Sequence, residues 1–399
     1  MKSSNRTTWR MVRLGDIADI LTGYPFPGGE YLVGEFSNGV RVVRGENVSP
    51  DGLRWGEKTK RWVGVRDLGK YVIRSGDALI SMDGNIGRNI CIAHNNEPLL
   101  LAQRVARVRA LGDVDQSFLN YVVSSPSFAR YLNAVKTGTT ISHISQKQIE
   151  EVSVNIPTSV TEQRSIAAVL SSLDDKIELL RRQNETLEQI AQAIFNERFV
   201  KPTDGGVLPK GWQMVGLTDI GDFLNGIALQ KYPAVQGEPS LPAIKIRELK
   251  VGITEATDRA SVNVPGQYIV EDGDILFSWS GSLEVVLWHH GRGALNQHLF
   301  KVSSDKYPQW FVYLWLLHHL PDFRIIAANK ATTMGHIQRH HLDQAEVVVP
   351  DEKTLIDADA LLTPIFNKII ANNTQSRELT ILRGTLLPRL ISGEIRVNA

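Results

Sequence analysis

The chain contains 399 residues, and its 44 Lys and Arg residues nearly balance its 43 Asp and Glu residues, giving a net charge of +1. Hydrophobic residues account for 42% and charged residues for 22%, which is typical of a globular protein, and the length predicts two or more domains. A net charge so close to zero gives no support for nucleic-acid binding by the overall charge of the protein. Such a site would need locally concentrated Lys and Arg.

The cellular compartment is indicated by three further features. A lone cysteine, Cys91, excludes a disulfide framework and a cysteine-rich zinc finger, and it fits a reducing cytosol. The first residues, Met1–Trp9, are polar and do not resemble a secretory signal, and no apolar run reaches the ~18 residues of a membrane span. We therefore expect a cytoplasmic protein without a membrane segment.

An internal repeat is the main signal in the sequence. The block Trp9–Gly23 (WRMVRLGDIADILTG) returns as Trp212–Gly226 (WQMVGLTDIGDFLNG). Further matches occur in the same order: Tyr71–Ser81 with Tyr268–Ser278, Gln103 with Gln297, Thr139–Ile144 with Thr332–Ile337, and Pro157 with Pro350. So many ordered matches indicate a duplication.

The stretches between the matching blocks have diverged almost completely, as Pro25–Lys60 and Ala228–Arg259 show. A duplication kept only for folding would explain the shared glycines and apolar positions. It explains less well why similar frames hold different inserts. We therefore interpret the two copies as domains that share one mechanical role but have two different specificities.

Each copy is predicted to be α+β, because strand-like runs with turn signals are followed by a helical apolar period. The predicted elements of the first copy are strands Tyr71–Met82, Asn89–His94 and Leu99–Arg109, a helix Asp115–Val135, a short helix Ser145–Glu150 and a strand Val152–Ile156. The second copy repeats this order with helices Pro308–Leu320 and Gln338–Gln344 and the strand Val347–Val349.

A long coiled-coil helix is predicted after the first copy. Ser159 and Glu162 have the spacing of a capping box, in which the hydroxyl and the carboxylate satisfy free backbone amides. Pro202 and Gly205 end the helix, and at ~1.5 Å per residue Thr161–Phe199 would span roughly 58 Å. The predicted seam has four-three spacing and comprises Ile166, Leu170, Leu173, Ile177, Leu180, Asn184, Leu187, Ala191 and Ile194.

A matching helix is predicted after the second copy, capped by Thr354 and Asp357. Pro364 lies early in this helix and leaves the start of its regular part open. We expect the helices to pair antiparallel in a pseudo-twofold arrangement. The predicted seam comprises Leu362, Ile365, Ile369, Asn372, Ser376, Leu379 and Leu386. The predicted boundaries are 1–157 and 202–350 for the two domains, and 158–201 and 351–399 for the long helices.

No catalytic, cofactor or metal site is predicted. Gly64–Tyr71 departs from a phosphate-binding P-loop, because Tyr71 replaces the required Ser or Thr and a strand comes next. The segment Ser278–Gly281 lacks the frame of a nucleophile elbow. Adjacent histidines point to different faces of their element and lack metal-site spacing; such pairs are His289 with His290, His318 with His319, and His340 with His341.

Candidate DNA contacts are polar and cationic side chains near the matching blocks. Gln can read adenine edges, Arg can read guanine or hold phosphate, and Arg107 and Arg109 are expected on one face of a strand. For any single residue, solvated surface or helix capping is an equally open explanation. The first copy offers Gln103, Arg104, Arg107, Arg109, Lys136, Thr139, Thr140, His143 and Lys147. The second copy offers Gln297, His298, Lys330, Thr332, Thr333, His336 and Arg339.

Three segments together carry a family resemblance: Thr139–Val152 (TTISHISQKQIEEV), Glu162–Leu170 (EQRSIAAVL) and Leu379–Glu394 (LTILRGTLLPRLISGE). With these segments the chain resembles the specificity subunit of type I restriction-modification systems over essentially its whole length. The resemblance implies two target recognition domains, each reading one half of a bipartite double-stranded DNA target, and helices that act as ruler and docking platform. It implies that two methyltransferase subunits and restriction-translocase subunits supply the catalysis, with no cofactor in this chain.

Two other classes stay open from the sequence alone. A standalone methyltransferase or nuclease would need a cofactor fingerprint, and no G-x-G-x-x-G motif opens a helix after a predicted strand. A scaffold without DNA affinity would differ from the favoured class by lacking salt-dependent binding to duplex DNA.

The predicted helices allow a test of how the target is spaced. If helix length sets the spacing, the half-sites should lie roughly 34 Å or about 10 base pairs apart, with unread bases between them. One heptad inserted after Leu180 and one after Asn372 would preserve the seam and add ~10 Å, about three base pairs. We expect a longer spacer in the methylated motif, with some loss of affinity because twist rotates the half-sites. An unchanged spacer with full activity would show that the helices do not set it.

Overall fold

The structure, a computed structural model, describes residues 8–33, 38–64, 67–138, 142–203, 205–329 and 335–397. The chain divides into two compact units: the first comprises Met1–Asp175 with Ile381–Ala399, and the second comprises Lys176–Thr380. Each unit contains one copy of the repeat and part of both long helices. Both units combine helices with sheets, which confirms the predicted α+β class.

The strands of the first unit are β1 (Trp9–Arg13), β2 (Ala18–Thr22), β3 (Leu32–Val33), β4 (Val40–Val43), β5 (Val48–Ser49), β6 (Gly52–Leu53), β7 (Lys60–Trp62), β8 (Val72–Ile73), β9 (Ala78–Ser81), β10 (Ile90–Ile92), β11 (Leu99–Leu101), β12 (Val105–Ala110) and β13 (Ser153–Pro157). Its helices are α1 (Leu14–Ile17), α2 (Gln116–Val123), α3 (Pro126–Val135), α4 (Gln146–Glu150) and the first part of α5 (Val160–Phe195).

Strand β12 lies at the centre of the first unit. One sheet has the order β10–β9–β12–β2, and a second has the order β3–β7–β4–β11–β8. The two-residue period of β12 turns Ala106 and Val108 into a core shared with α2 and α3. Val105 points the other way, into a core shared with the second sheet. Arg107 and Arg109 must therefore point to that same side.

The second unit contains strands β14 (Gln213–Gly216), β15 (Asp222–Asn225), β16 (Ser240–Ile244), β17 (Arg259–Ser261), β18 (Ile269–Val270), β19 (Ile275–Ser278), β20 (Val285–Leu287), β21 (Gly293–Leu295), β22 (Leu299–Ser303) and β23 (Glu346–Val349). Its helices are α6 (Leu217–Ile220), α7 (Ile246–Val251), α8 (Gln309–Asn329), α9 (Arg339–Asp343) and part of α10 (Glu352–Ile391). Its sheets have the orders β15–β22–β19–β20 and β17–β16–β21–β18.

The two units share more of their fold than their sequences indicate. The diverged stretches contain β4 in one copy and β16 in the other, and each pairs in parallel with the strand before the central one, β11 or β21. Beyond these two strands the units differ. The first unit continues into the hairpin β5–β6, whereas the second forms α7.

Two helix predictions were wrong in extent. The predicted helix Asp115–Val135 is broken, because Ser125 Oγ accepts a hydrogen bond from Phe128 N at 3.3 Å and starts a new helix with Pro126 as its first residue. In the second unit, α8 continues past Pro321 to Asn329 instead of ending at Leu320.

The long helices match their predicted seams. Every predicted seam residue of α5 and α10 is buried or half-buried. Ser159 Oγ accepts from Glu162 N at 3.3 Å, so the predicted first cap is present. The second cap is Asp351 and not Thr354, since Asp351 Oδ1 accepts from Thr354 N at 3.0 Å. Helix α10 runs through Pro364 without interruption.

Within the first unit, α5 and the end of α10 run in opposite directions. Arg383 contacts Asp174 at 2.5 Å, and Arg396, which lies just beyond α10, contacts Glu162 at 3.3 Å. Within the second unit, the seam contains a buried amide pair, in which Asn372 Nδ2 donates to Asn184 Oδ1 at 2.9 Å.

A tryptophan at the start of each copy, in β1 or just before β14, contacts the start of the long helix that follows that copy. Trp9 Nε1 donates to Glu162 Oε1 at 3.2 Å, and Trp212 Nε1 donates to Asp351 Oδ2 at 3.1 Å. Glu162 Oε1 therefore contacts both Trp9 and Arg396, since Arg396 Nη1 donates to it at 3.3 Å. These contacts explain why the repeat retains Trp at both positions.

The amide pair of the seam allows a test of its energetic role. In Asn372→Leu, the buried Asn184 Oδ1 loses its donor, so we expect a loss of about 1–3 kcal/mol and a lower unfolding temperature by calorimetry. The double change Asn184→Leu with Asn372→Leu should recover most of this loss, because no buried amide is then left unpaired. Gln375→Leu, at an exposed position of α10, is the control. A single variant as stable as the parent chain would refute this role.

Candidate nucleic-acid interface

In the first unit, the turn after β9 and the loop before α4 are joined through their backbones. Gly84 N donates to Ser142 O at 3.0 Å, and Ile144 N donates to Met82 O at 3.0 Å. Only backbone atoms take part, so the junction does not depend on the side chains that the turn and the loop carry.

The second unit has the same junction between the turn after β19 and the loop before α9. Gly281 N donates to Gly335 O at 2.8 Å, and Ile337 N donates to Trp279 O at 3.0 Å. The repeated sequence before each short helix therefore has a structural counterpart in each unit.

A third segment, the bend before the central strand, completes the arrangement. Met82 N donates to Arg104 O at 3.0 Å, and Trp279 N approaches His298 O at 3.4 Å. We call these three segments the loop frame. It comprises residues 82–84, 102–104 and 142–144 in the first unit, and residues 279–281, 296–298 and 335–337 in the second.

Close backbone packing beside the frame explains a glycine that both copies retain. A Cβ atom on Gly23 would lie 2.3 Å from Ala102 O, and one on Gly226 would lie 2.2 Å from Asn296 O. Any side chain would push β2 or β15 away from the bend. Glycine is therefore required at both positions.

The side chains on the loop frame differ between the units. In the first, Arg104 Nε lies 3.5 Å from Asp83 Oδ2, and these side chains are 63% and 34% exposed. Gln103 is exposed beside them. His143 is also exposed, and its Nε2 lies 3.0 Å from Thr137 Oγ1. The loop frame of the first unit thus presents an ion pair together with further hydrogen-bonding side chains.

In the second unit, Ser280 and His298 occupy the positions of Asp83 and Arg104. Ser280 Oγ lies 3.0 Å from His298 Nδ1. Trp279 lies beside them, and its Nε1 donates to Asn225 Oδ1 at 3.1 Å and to Gln297 O at 3.2 Å. An ion pair in one unit is thus replaced by a Ser–His pair and an indole ring in the other.

A cleft of about 700 Å³ opens next to the frame in the first unit. One wall is aromatic, and the pKa of Tyr31 there is raised by burial, an effect that Arg44 partly opposes. Arg44 Nη1 and Glu46 Oε1 form an ion pair at 2.8 Å on another side. The lining includes Tyr24, Phe26, Tyr31, Arg44, Gln103 and Arg104.

Two of the sequence-predicted residues are engaged inside the first unit. Arg107 is 4% exposed, forms an ion pair with Asp19, and donates to Lys70 O at 2.9 Å. Arg109 Nη2 bonds Asp77 Oδ2 at 2.6 Å, and this hydrogen bond raises the pKa of Arg109. Both lie on one strand face, as expected, but that face packs on the second sheet. The structure therefore removes the buried Arg107 from the candidate contacts, whereas Arg109, whose side chain is 21% exposed, stays a predicted contact.

Other predicted residues remain available to solvent. Lys136, Lys147 and Arg339 are exposed, and Lys147 Nζ lies 3.8 Å from Glu151. Gln297, His298 and His336 are half-buried on the second loop frame. Thr139, Thr140, Lys330, Thr332 and Thr333 lie outside the described residues.

Asp83, Ser280 and Trp279 were not predicted from the sequence as site residues. Their signal is present in the sequence, because Ser81–Gly84 (SMDG) aligns with Ser278–Gly281 (SWSG), so a variable pair lies between shared residues. The importance of this pair depends on contacts with Arg104 and His298, which no local pattern reveals.

Within the described ranges, His, Cys, Asp and Glu residues form no group that could hold a metal ion. In the same part of the chain, no helix is long and apolar enough to cross a membrane.

A family model for the type I restriction modification DNA specificity domain matches residues 6–189 and 209–380. The chain belongs to this family. It is a DNA target-recognition subunit, and its family is non-catalytic.

Similar proteins agree with this assignment. The specificity subunit of the type I restriction enzyme MjaIX from Methanocaldococcus jannaschii is 27% identical, over 86% of this chain and 83% of the relative. The HindI specificity subunit from Haemophilus influenzae is 24% identical, over 83% of this chain and 90% of the relative. The crystal structure of a type I restriction-modification S subunit from M. genitalium aligns with a TM-score of 0.60 and 15% identity, covering 98% of each chain, which supports the fold.

Arg104 and Arg107 should respond differently to substitution. Arg107→Ala removes bonds to Asp19 and Lys70 O at a buried position, so we expect a loss of about 1–3 kcal/mol and a lower unfolding temperature. Arg104→Ala changes an exposed side chain and should leave the unfolding temperature nearly unchanged. Calorimetry of both variants measures this difference. Equal effects of the two changes would show that the assignment of Arg107 to the interior is incorrect.

Proposed function

We propose that each unit reads one half of a bipartite, asymmetric DNA target, and that the chain binds methyltransferase subunits and, in the complete enzyme, restriction-translocase subunits. The observation that carries this proposal is the loop frame. Its backbone bonds are equivalent in the two units, whereas the side chains at 83 and 104 differ from those at 280 and 298. Equivalent frames with unlike side chains would read unlike half-sites.

The chemistry of the frame suits base readout. Arg, Gln, Asp and Ser are the side-chain types that hydrogen-bond base edges in the major groove. Gln103 and Arg104 are exposed, and backbone bonds on both sides hold their bend in place. Lys136, Lys147 and Arg339 are exposed cations near the loops, and we assign them to phosphate. The threonines of the repeated loops that lie outside the described residues remain predicted contacts on the sequence alone.

The long helices are proposed to carry the partner subunits. Several of their apolar side chains are exposed even though the seam positions are covered. Such side chains could contribute apolar area to an interface. They are Leu179 and Ile190 on α5, and Ile356, Leu361, Ile381 and Leu382 on α10.

Equilibrium binding of the assembled complex to duplex DNA tests the proposed function. The target duplex should bind more tightly than an unrelated duplex of equal length, and affinity for both should fall as salt rises, because phosphate contacts release counterions. Equal, salt-independent and weak binding to both duplexes would favour a scaffold without DNA affinity.

Lys147 and Arg339 provide a more specific test. We expect Lys147→Ala or Arg339→Ala to weaken binding about equally on all duplexes and to reduce the salt slope by about 1, as loss of a phosphate contact does. Lys58→Ala, an exposed change elsewhere in the first unit, is the control. A change in base preference caused by either variant would contradict the phosphate assignment.

A further inference from the structure

We propose that the cleft of the first unit binds the major-groove edge of one G·C base pair, with Arg104 on guanine and Asp83 on cytosine. The inference rests on the proposed function, since it identifies a base pair that the first unit would read. Because guanine and cytosine of one pair belong to different strands, Arg104 and Asp83 would contact opposite strands of the duplex.

The geometry places a donor next to an acceptor at the mouth of the cleft. Arg104 Nε lies 3.5 Å from Asp83 Oδ2, and both side chains reach solvent. Their backbones are held by the loop frame, since Met82 N bonds Arg104 O and Gly84 N bonds Ser142 O. The backbone positions of Asp83 and Arg104 are therefore defined, while their exposed side chains can turn towards a base pair.

A G·C pair offers the complementary pattern. Guanine presents the acceptors O6 and N7, which bind an arginine bidentately, and cytosine presents the N4 amino donor, which binds a carboxylate. Guanine O6 and cytosine N4 are hydrogen-bonded to each other and so lie about 2.9 Å apart. This separation is close to the 3.5 Å between the two side-chain atoms.

Other ligands fit these two residues less well. An A·T pair places the N6 amino group of adenine beside N7, so a bidentate arginine would meet a donor. A phosphate would bind Arg104, but the Asp83 carboxylate next to it would repel the phosphate oxygens. In the second unit, Ser280 and His298 replace this charged pair, so the same preference is not expected there.

The surroundings of the pair support a base-edge site. Tyr24, Phe26 and Tyr31 line one side of the cleft, and Phe26 packs on Tyr24 with ring centroids 5.0 Å apart. An aromatic wall limits water around the polar groups, which strengthens their hydrogen bonds to a bound base. Gln103, next to Arg104 and exposed, would face an adjacent base pair.

The test measures binding of the assembled complex with its methyltransferase partner, at fixed salt, to duplexes in which each target base pair is replaced in turn. For the parent chain, we expect one G·C pair in one half-site at which replacement by A·T weakens binding about 10- to 100-fold. Arg104→Gln should abolish this preference or shift it to A·T, since Gln reads adenine. Asp83→Asn should reduce the preference and increase binding to unrelated DNA, because a repulsive charge is removed.

The chain offers a matched control in the same unit. Arg54 and Asp51 form an exposed ion pair at 2.7 Å outside the cleft, so Arg54→Gln and Asp51→Asn should leave every base preference unchanged. If Arg104→Gln weakens all duplexes equally and flattens the salt slope, Arg104 binds phosphate and the inference is overturned. An unchanged profile in Arg104→Gln also overturns it. If the parent complex does not distinguish its target from unrelated DNA, the proposed function fails instead.

Discussion

The backbone hydrogen bonds that join a turn to a loop in each unit are the constraint on which the rest of the structure depends. Ile144 N bonds Met82 O in the first unit, and Ile337 N bonds Trp279 O in the second. Each bond contributes only about 1 kcal/mol net to the free energy of folding, but it fixes the backbone positions from which the neighbouring side chains project. Because the bonds involve no side chain, the residues between them are free to vary. A duplicated frame can therefore keep its fold while its two copies acquire different chemistry.

Other contacts in each unit, in contrast, require particular side chains. The indoles of Trp9 and Trp212 bond carboxylates at the starts of the long helices, and Arg107 neutralises Asp19 beneath the sheet. Buried or partly buried polar groups of this kind are costly to leave unpaired, so substitutions there affect stability first. The sequence repeat retains the two tryptophans, whereas it varies at positions 83 and 280 of the frame.

The α+β class and both long helices could be predicted because the repeat and the heptad spacing are local patterns. The parallel pairing of β4 and β16 could not, since each strand lies in a diverged stretch and pairs with a strand far along the chain. For the candidate site, the sequence offered Gln103, Arg104 and His143 as separate DNA contacts, and it gave no sign that backbone bonds of the turn at 82–84 link their segments. Arg107 was wrongly predicted to contact DNA because its partner Asp19 is 88 residues away along the chain. The sequence around a cation does not reveal an ion pair with so distant a carboxylate.

The central claim is that one backbone frame, used twice with different side chains, reads two different half-sites. Sequencing of methylated DNA from cells that express this chain with its methyltransferase partner measures this most directly. We expect a motif of two short, unlike sequences separated by unread bases. A single continuous motif, or two identical inverted half-sites, would contradict it.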